Sequence, residues 1–315
     1  MNHPVNRATA LQPRPPSPLE EIDDERFARR GVRLLLKRDD LIHTTLPGDA
    51  LGPVDLYPPG NKWRKLAPNL RAAAEAGDRA LLTFGGAYSN HLRATAAAGR
   101  LLGFRTVGVV RGDELAGAPL NWSLTRCAAD GMVLHFVDRA SYRRASDPAF
   151  LAALRDRFGA FRLIPEGGSN ALAAQGCTEL GRELRGRADT VAVACGTGGT
   201  LAGLAAGLGP GQRALGVPVL KGGDPHFLHA AVADLQHAAF GGPRGDWSLA
   251  ADFHFGGYAR RTPELDAFAD AFEERHGLPV ERVYVAKLLF ALTALVERGA
   301  FRPGSTVAAV VTGTP

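Results

Sequence analysis

The sequence predicts an α/β protein built on open, mainly parallel sheets. Three observations carry this. From residue 32 onward, short β-branched or leucine-rich runs alternate with alanine-rich stretches of helical character, the rhythm of βα units feeding a parallel sheet. With 45% hydrophobic and 22% charged residues and 38 glycines, the chain has the composition of a globular protein with a substantial core. At roughly 150 residues per domain, 315 residues fit two domains or one large one.

In chain order, the first residues hold Pro4, Pro13, Pro15, Pro16 and Pro18 and no apolar run, so they are expected to form an extended arm rather than a secretory signal. Strands are predicted over 32–37, 80–84, 106–110, 133–137, 161–164, 190–194, 214–219 and 306–311. Helices are predicted between them over 62–76, 90–102, 118–130, 148–158, 171–184, 201–208, 225–239, 263–276 and 285–298. The Pro- and Gly-rich segment 43–60 reads as a loop ending at Gly60-Asn61-Lys62. No charged side chain occurs between Thr190 and Gln212, a length that would reach across a bilayer, but seven glycines in that window argue against a spanning helix, and no membrane association is expected.

Charge and cysteine usage narrow the function. Thirty-seven basic against 32 acidic residues give a net charge of +5, yet the basic residues are scattered, which describes a solvated surface rather than a nucleic-acid footprint. Cys127, Cys177 and Cys195 are odd in number and lack a CxxC spacing, so neither a disulfide framework nor a cysteine zinc site is expected, and the compartment reads as reducing and cytoplasmic. His226 and His229 stand at i,i+3 without a partner motif such as HExxH, which reads as a helix-surface pair, and no metal site is expected. Only Lys37, Lys62, Lys65, Lys221 and Lys287 are available for amine chemistry.

Three segments carry candidate chemistry. The strand 190–194 runs through Cys195 into Gly196-Thr197-Gly198-Gly199-Thr200 and a small apolar helix, where glycines allow close backbone approach and first-turn N–H groups face an anion. Four or five charge-assisted bonds of about 1.5–3 kcal/mol each would hold a phosphate without a basic side chain. The turn lacks Gly-Lys-Ser/Thr, and Leu201 stands where a dinucleotide fingerprint has its last glycine; packing alone also explains such a turn. In Gly60-Asn61-Lys62-Trp63-Arg64-Lys65-Leu66 a loop opens a helix, and the positive field at that end favours the neutral, nucleophilic amine that Schiff-base chemistry needs; a surface lysine is the plainer reading. In Thr83-Phe84-Gly85-Gly86-Ala87-Tyr88-Ser89-Asn90-His91, Ser89 and Asn90 follow a glycine turn, suiting either simple capping or a cup for a carboxylate.

Together with Lys37-Arg38-Asp39-Asp40-Leu41 and Pro165-Glu166-Gly167-Gly168-Ser169-Asn170-Ala171, these motifs stand in an order that resembles the pyridoxal-phosphate family of 1-aminocyclopropane-1-carboxylate deaminases and D-cysteine desulfhydrases, of the tryptophan-synthase-β-like fold type, over about residues 32 to 314. The resemblance implies two open, mainly parallel-sheet domains with pyridoxal 5'-phosphate in the cleft between them: an arm over 1–25, a large domain of 26–65 and 165–315, and a small domain of 66–164. It further implies that Lys62 bears the internal aldimine, that Asn90 faces the phenolic oxygen of the cofactor, and that Ser89 contacts the substrate carboxylate. Cys195, Gly196, Thr197, Gly198, Gly199 and Thr200 would form the phosphate cup, with a Cβ at Gly198 expected to block the approach of the phosphate. Tyr284 would lie against the cofactor ring, Tyr258 would be a second active-site tyrosine, and Thr312 would partner the pyridine nitrogen.

Four positions depart from the family pattern. Val285 stands where the ring-opening deaminases have Glu, Pro59 precedes Gly60, Tyr88 replaces glutamine, and the chain stops at Pro315. A neutral partner at the ring nitrogen makes a weaker electron sink, adequate when a good leaving group departs from Cβ. The expectation is α,β-elimination from a small amino acid such as D-cysteine, giving pyruvate, ammonia and sulfide. The alternatives are cyclopropane-carboxylate deamination to 2-oxobutanoate and ammonia, a non-catalytic cofactor carrier, and a nucleotide-dependent α/β enzyme. A homodimer is the family expectation.

Overall fold

The parallel sheets expected from the βα rhythm are present, and they sort into two units. The computed structural model describes residues 12–13, 16–42, 44–45, 60–220 and 225–313; most of the expected loop 43–60, with Pro59, and also Lys221 and Pro315, lie outside these. Its strands are β1 (Gln12–Pro13), β2 (Leu19–Ile22), β3 (Arg33–Arg38), β4 (Thr44–Thr45), β5 (Ala80–Gly85), β6 (Arg105–Arg111), β7 (Met132–Val137), β8 (Arg162–Ile164), β9 (Thr190–Cys195), β10 (Arg213–Pro218), β11 (Asp246–Leu249) and β12 (Thr306–Val311). Each of the eight strands expected from sequence lies within one residue of its observed bounds.

The first unit contains residues 60–170 and the short antiparallel pair β1–β4. Its sheet runs β7-β6-β5-β8, parallel throughout. Apolar side chains of Leu82, Phe84, Val107, Val109 and Leu154 fill one face, while Leu92, Ala96, Val110 and Leu124 fill the other, so both faces are covered as a parallel sheet requires. The chain builds β5, β6 and β7 outward in one direction and then returns to place β8 on the opposite side of β5. That reversal puts the turns after β5 and β8 side by side at the carboxyl edge, the usual ligand position of an open α/β sheet.

The second unit contains residues 16–42 and 171–313. Its sheet runs β11-β10-β9-β12-β3-β2, parallel except for β2, which adds antiparallel to the edge of β3. The reversal here falls between β9 and β12, which pair in parallel through Val307 with Thr190 and Ala309 with Ala192, so Gly196 and Thr312 emerge at the same carboxyl edge. The uncharged window is explained by the helix Gly199–Gly207, which is buried along nearly its whole length. Its glycines let two helices touch backbone to backbone: a Cβ on Gly203 would stand 2.1 Å from the Ala174 carbonyl oxygen, and one on Gly207 2.1 Å from that of Thr178.

Beyond the short pair β1–β4, the helices Glu25–Ala28 and Arg139–Tyr142 and the earlier start of the helix Gly199–Gly207, three elements differ from the sequence reading for reasons the chain shows. β2 is short and carries Glu20 and Glu21, whose charges mask it; in the sheet they pair with Arg38 and Arg33. β11 has too few residues to show an alternation. The helix predicted from 118 begins at Trp122, because Pro119 disfavours helical backbone at Ala118 and the Asn121 side chain accepts the Leu124 N–H at 2.9 Å, capping the helix there.

Candidate active site

In the first unit, the helix Lys62–Glu75 opens with Lys62 directly after Asn61 and has no acidic residue in its first turn. Lys62 is half-buried. The helix Asn90–Leu102 follows β5, and its N-cap is Ser89, whose Oγ accepts the Leu92 N–H at 3.3 Å. Capping uses only the acceptor side of the hydroxyl, so its hydrogen is left to donate; capping and substrate contact are compatible in one residue. Gly85 makes room for this arrangement, since a Cβ there would meet Ser89 Oγ at 2.7 Å.

His91 connects the lysine helix to this turn. It is buried, with Nε2 2.8 Å from Thr83 Oγ1 and no hydrogen-bond partner at Nδ1 among the described residues. Desolvation, reinforced by the positive charges of Lys62 and Lys65, holds its pKa well below the ordinary value, so it is neutral. Thus Lys62, Ser89 and Asn90 stand in one neighbourhood of the first unit.

In the second unit, Gly198 is the N-cap of the helix Gly199–Gly207, with φ +80°, and among the described residues no side chain caps this end. The first intrahelical bond is from Ala202 N–H to the Gly198 carbonyl, leaving the preceding N–H groups turned toward the 196–200 turn. Thr200 is buried, whereas Gly196 and Thr197 are half-buried. Cys195 turns its thiol into the sheet core, with Sγ 3.5 Å from the Val193 carbonyl oxygen, and its own carbonyl accepts the Val219 N–H at 2.9 Å, so its polar groups serve the fold.

Tyr284 borders this turn: a Cβ on Gly196 would lie 3.5 Å from its hydroxyl oxygen. Tyr258 stands edge-on to Tyr284 with ring centroids 6.0 Å apart. Thr312 follows β12 and is half-buried, and Val285 is buried in the core cluster. Helix packing adds a constraint of its own at Gly198. A Cβ there would meet Val232 Cγ2 at 2.7 Å and Leu228 Cδ1 at 3.2 Å, both on the helix Pro225–Phe240, so this glycine is required by helix packing as well as by its positive φ.

Several polar residues that support these turns and helices were missed because their partners are remote in sequence. Lys65 Nζ donates to the Gly167 carbonyl at 3.3 Å and to Ser169 Oγ at 3.2 Å, and Asn69 exchanges amide hydrogen bonds with Asn170 at 3.2 and 2.7 Å. Lys37 pairs with Glu183 at 2.6 Å. Lys287 is fully buried and donates to the carbonyls of His254 and Gly257 at 3.0 and 2.7 Å, bracketing the approach to Tyr258, where Phe255 and Ala259 adopt positive φ. Glu281 accepts the N–H groups of Val283, Tyr284 and Val285. The signal in the sequence was the rarity of lysine, but rarity does not distinguish a buried anchor from a reactive amine. His226 and His229 are exposed on the helix Pro225–Phe240.

The second unit presents a glycine turn at a helix N-terminus, and the first a half-buried lysine at a helix start and a Ser-capped helix. The chain belongs to the pyridoxal-phosphate dependent enzyme family, whose sequence model matches residues 58–313. It is similar to the bifunctional D-cysteine desulfhydrase/1-aminocyclopropane-1-carboxylate deaminase of Arabidopsis thaliana, a mitochondrial protein (28% identity, 83% of this chain and 67% of the relative). It is also similar to D-cysteine desulfhydrase of Yersinia pestis (30% identity, 90% of this chain and 87% of the relative). Among solved structures it matches an ACC deaminase homologue with a TM-score of 0.78 at 25% identity, covering 99% of this chain and 95% of the other. The processed form of threonine deaminase isoform 2 from Solanum lycopersicum, at 17% identity and a TM-score of 0.65 over 99% of this chain and 86% of the other, shares the fold.

The cofactor is pyridoxal 5'-phosphate. The uncapped N–H groups after Gly198 fit its phosphate, and the half-buried Lys62 fits its aldehyde. The nucleotide-dependent and non-catalytic readings are set aside. Among the described residues, no helix is long and apolar enough to cross a membrane.

Proposed function

We propose that the protein catalyses α,β-elimination from a small β-substituted amino acid, with D-cysteine and water giving pyruvate, ammonia and hydrogen sulfide. The observation that carries this reading is the pair at the expected ring-nitrogen position: Val285 is apolar and buried, and Thr312 offers only a neutral hydroxyl. Glu281, the nearest carboxylate in sequence, already accepts three backbone N–H groups.

Bound pyridoxal phosphate supplies an electron sink conjugated to the substrate Cα. The chain supplies the rest. Lys62 Nζ would hold the cofactor by its aldehyde and would serve as the base for the proton at the substrate Cα. The Ser89 hydroxyl donates to the substrate carboxylate, assisted by first-turn N–H groups of the helix Asn90–Leu102. Asn90 would donate to the phenolic oxygen, and the N–H groups of the 196–200 turn, with the hydroxyls of Thr197 and Thr200, would hold the phosphate. Tyr284 packs by the ring, and Tyr258 sets its orientation through their edge-on contact. Cys195 carries β9 into the turn.

The names of relatives also support a second substrate, since the plant relative is named as a 1-aminocyclopropane-1-carboxylate deaminase as well, and a Thermotoga maritima relative, 33% identical over 63% of this chain and 60% of its own length, bears that name as a putative one. The deciding experiment supplies the holoenzyme with D- and L-cysteine, other β-substituted amino acids and 1-aminocyclopropane-1-carboxylate, and measures pyruvate, 2-oxobutanoate, ammonia and sulfide. Pyruvate and sulfide from D-cysteine are expected. Robust 2-oxobutanoate formation with no turnover of β-substituted amino acids would reverse the assignment. The proposal includes a homodimer in the cytoplasm; the latter is supported by three buried free thiols.

A further inference from the structure

Asn90 is the residue whose orientation matters most, because its amide carries one acceptor and one donor group of nearly equal size. Only the NH2 group is useful against an anionic phenolic oxygen; the amide oxygen would repel it. Asn90 opens its helix, and Arg93, three residues on, shares its face.

Arg93 is buried, and its guanidinium is held on three sides. Nη2 donates to Asn90 Oδ1, Nη1 donates to Ser123 Oγ at 2.9 Å, and the plane lies over Trp122 with its carbon 4.4 Å from the ring centroid. Ser123 and Trp122 belong to the helix Trp122–Ala129, which is itself tied to the turn before Asn90, since Asn121 Nδ2 donates to the Ala87 carbonyl at 3.2 Å. A guanidinium has donors and no acceptor, so the amide atom it meets must be the oxygen, and the NH2 group faces the other way.

We infer that Arg93 is a positioning residue that locks the Asn90 amide with its NH2 group presented to the phenolic oxygen of the cofactor. This rests on the assignment of Asn90 in the functional reading above. It adds that the orientation is imposed from the helix Trp122–Ala129, by a side chain that does not itself touch the cofactor. Loss of the lock lets the amide turn over, weakens the hydrogen bond to the ionised oxygen, and favours the un-ionised form.

The test is the absorbance of reconstituted holoenzyme, as the ratio of the visible band of the ionised form to the near-ultraviolet band of the un-ionised form. Asn90→Ala is expected to lower this ratio about tenfold, the scale of one hydrogen bond to a charged group. Arg93→Gln, whose own amide can donate or accept, should lower it in the same direction, and Arg93→Lys, which again has only donors, should restore most of it. Ser123→Ala removes one anchor of the guanidinium and gives a smaller shift of the same sign, which keeps the inference testable if Arg93→Gln does not fold. A merely structural role would reduce thermal stability or cofactor occupancy while leaving the band ratio of the bound fraction unchanged. An unchanged ratio in Arg93→Gln and Ser123→Ala, with Asn90→Ala shifted, would overturn the inference and leave the functional reading intact. An unchanged ratio in Asn90→Ala as well would overturn the placement of Asn90. If wild-type protein developed no visible band on addition of pyridoxal 5'-phosphate, the functional reading would fall and this inference with it.

Discussion

Gly198→Ala separates two roles for one residue. Its backbone sits at φ +80°, which costs a residue with a side chain roughly 1–2 kcal/mol. The added methyl would stand 2.7 Å from Val232 Cγ2 and 3.2 Å from Leu228 Cδ1, an overpacking worth roughly 1–3 kcal/mol. A loss of about 2–5 kcal/mol is expected in the second unit even without cofactor. Urea unfolding of the cofactor-free protein measures it, and Trp247, which packs beside His229 of the neighbouring helix with ring centroids 4.6 Å apart, provides a local fluorescence probe. In the double variant with Val232→Ala, the overpacking part should be relieved, giving a coupling of about 1 kcal/mol or more while the backbone strain remains. A cofactor-free protein with an unchanged urea midpoint, combined with a large loss of cofactor affinity, would refute the packing argument and show that the Cβ obstructs the phosphate instead.

Two further expectations follow from the lysines. Borohydride reduction of the holoenzyme and peptide mapping should place the pyridoxyl mass on Lys62, and Lys62→Ala should lose turnover while keeping its far-ultraviolet circular dichroism; modification at Lys65 or Lys287 would contradict the assignment. Burial pulls the Lys287 amine down to about 8 against the opposing pull of Glu281, whereas the unfolded chain titrates it near 10.4. Between these values the unfolded state holds the extra proton, so the stability of the wild type should rise with pH across the window by roughly 3 kcal/mol relative to Lys287→Met, after a constant penalty below it. A difference between the two proteins that stays flat from about pH 8 to pH 10 would show that the amine is not desolvated in the folded state.

The sequence by itself determined the parallel α/β class, because β-branched runs and alanine-rich helices are patterns of neighbouring residues that need no partner to be seen. The same holds for the turn at Gly196 to Thr200 and for the cap at Ser89, where the chemistry lies within three or four positions. The joint order of the motifs around Lys62, Asn90 and Gly198 was enough to indicate the cofactor. Tertiary structure alone decided what the remaining polar residues do. Lys65 and Ser169 are 104 positions apart, Asn69 and Asn170 101, and Lys287 and Gly257 30, and no local pattern links them. It also decided that Gly198 faces a packed helix, and that Glu281 accepts backbone N–H groups. β2 and β11 were invisible for a related reason: a short strand with charged or mixed side chains acquires its conformation from the ladder of its neighbour, β3 or β10, and not from any preference of its own residues.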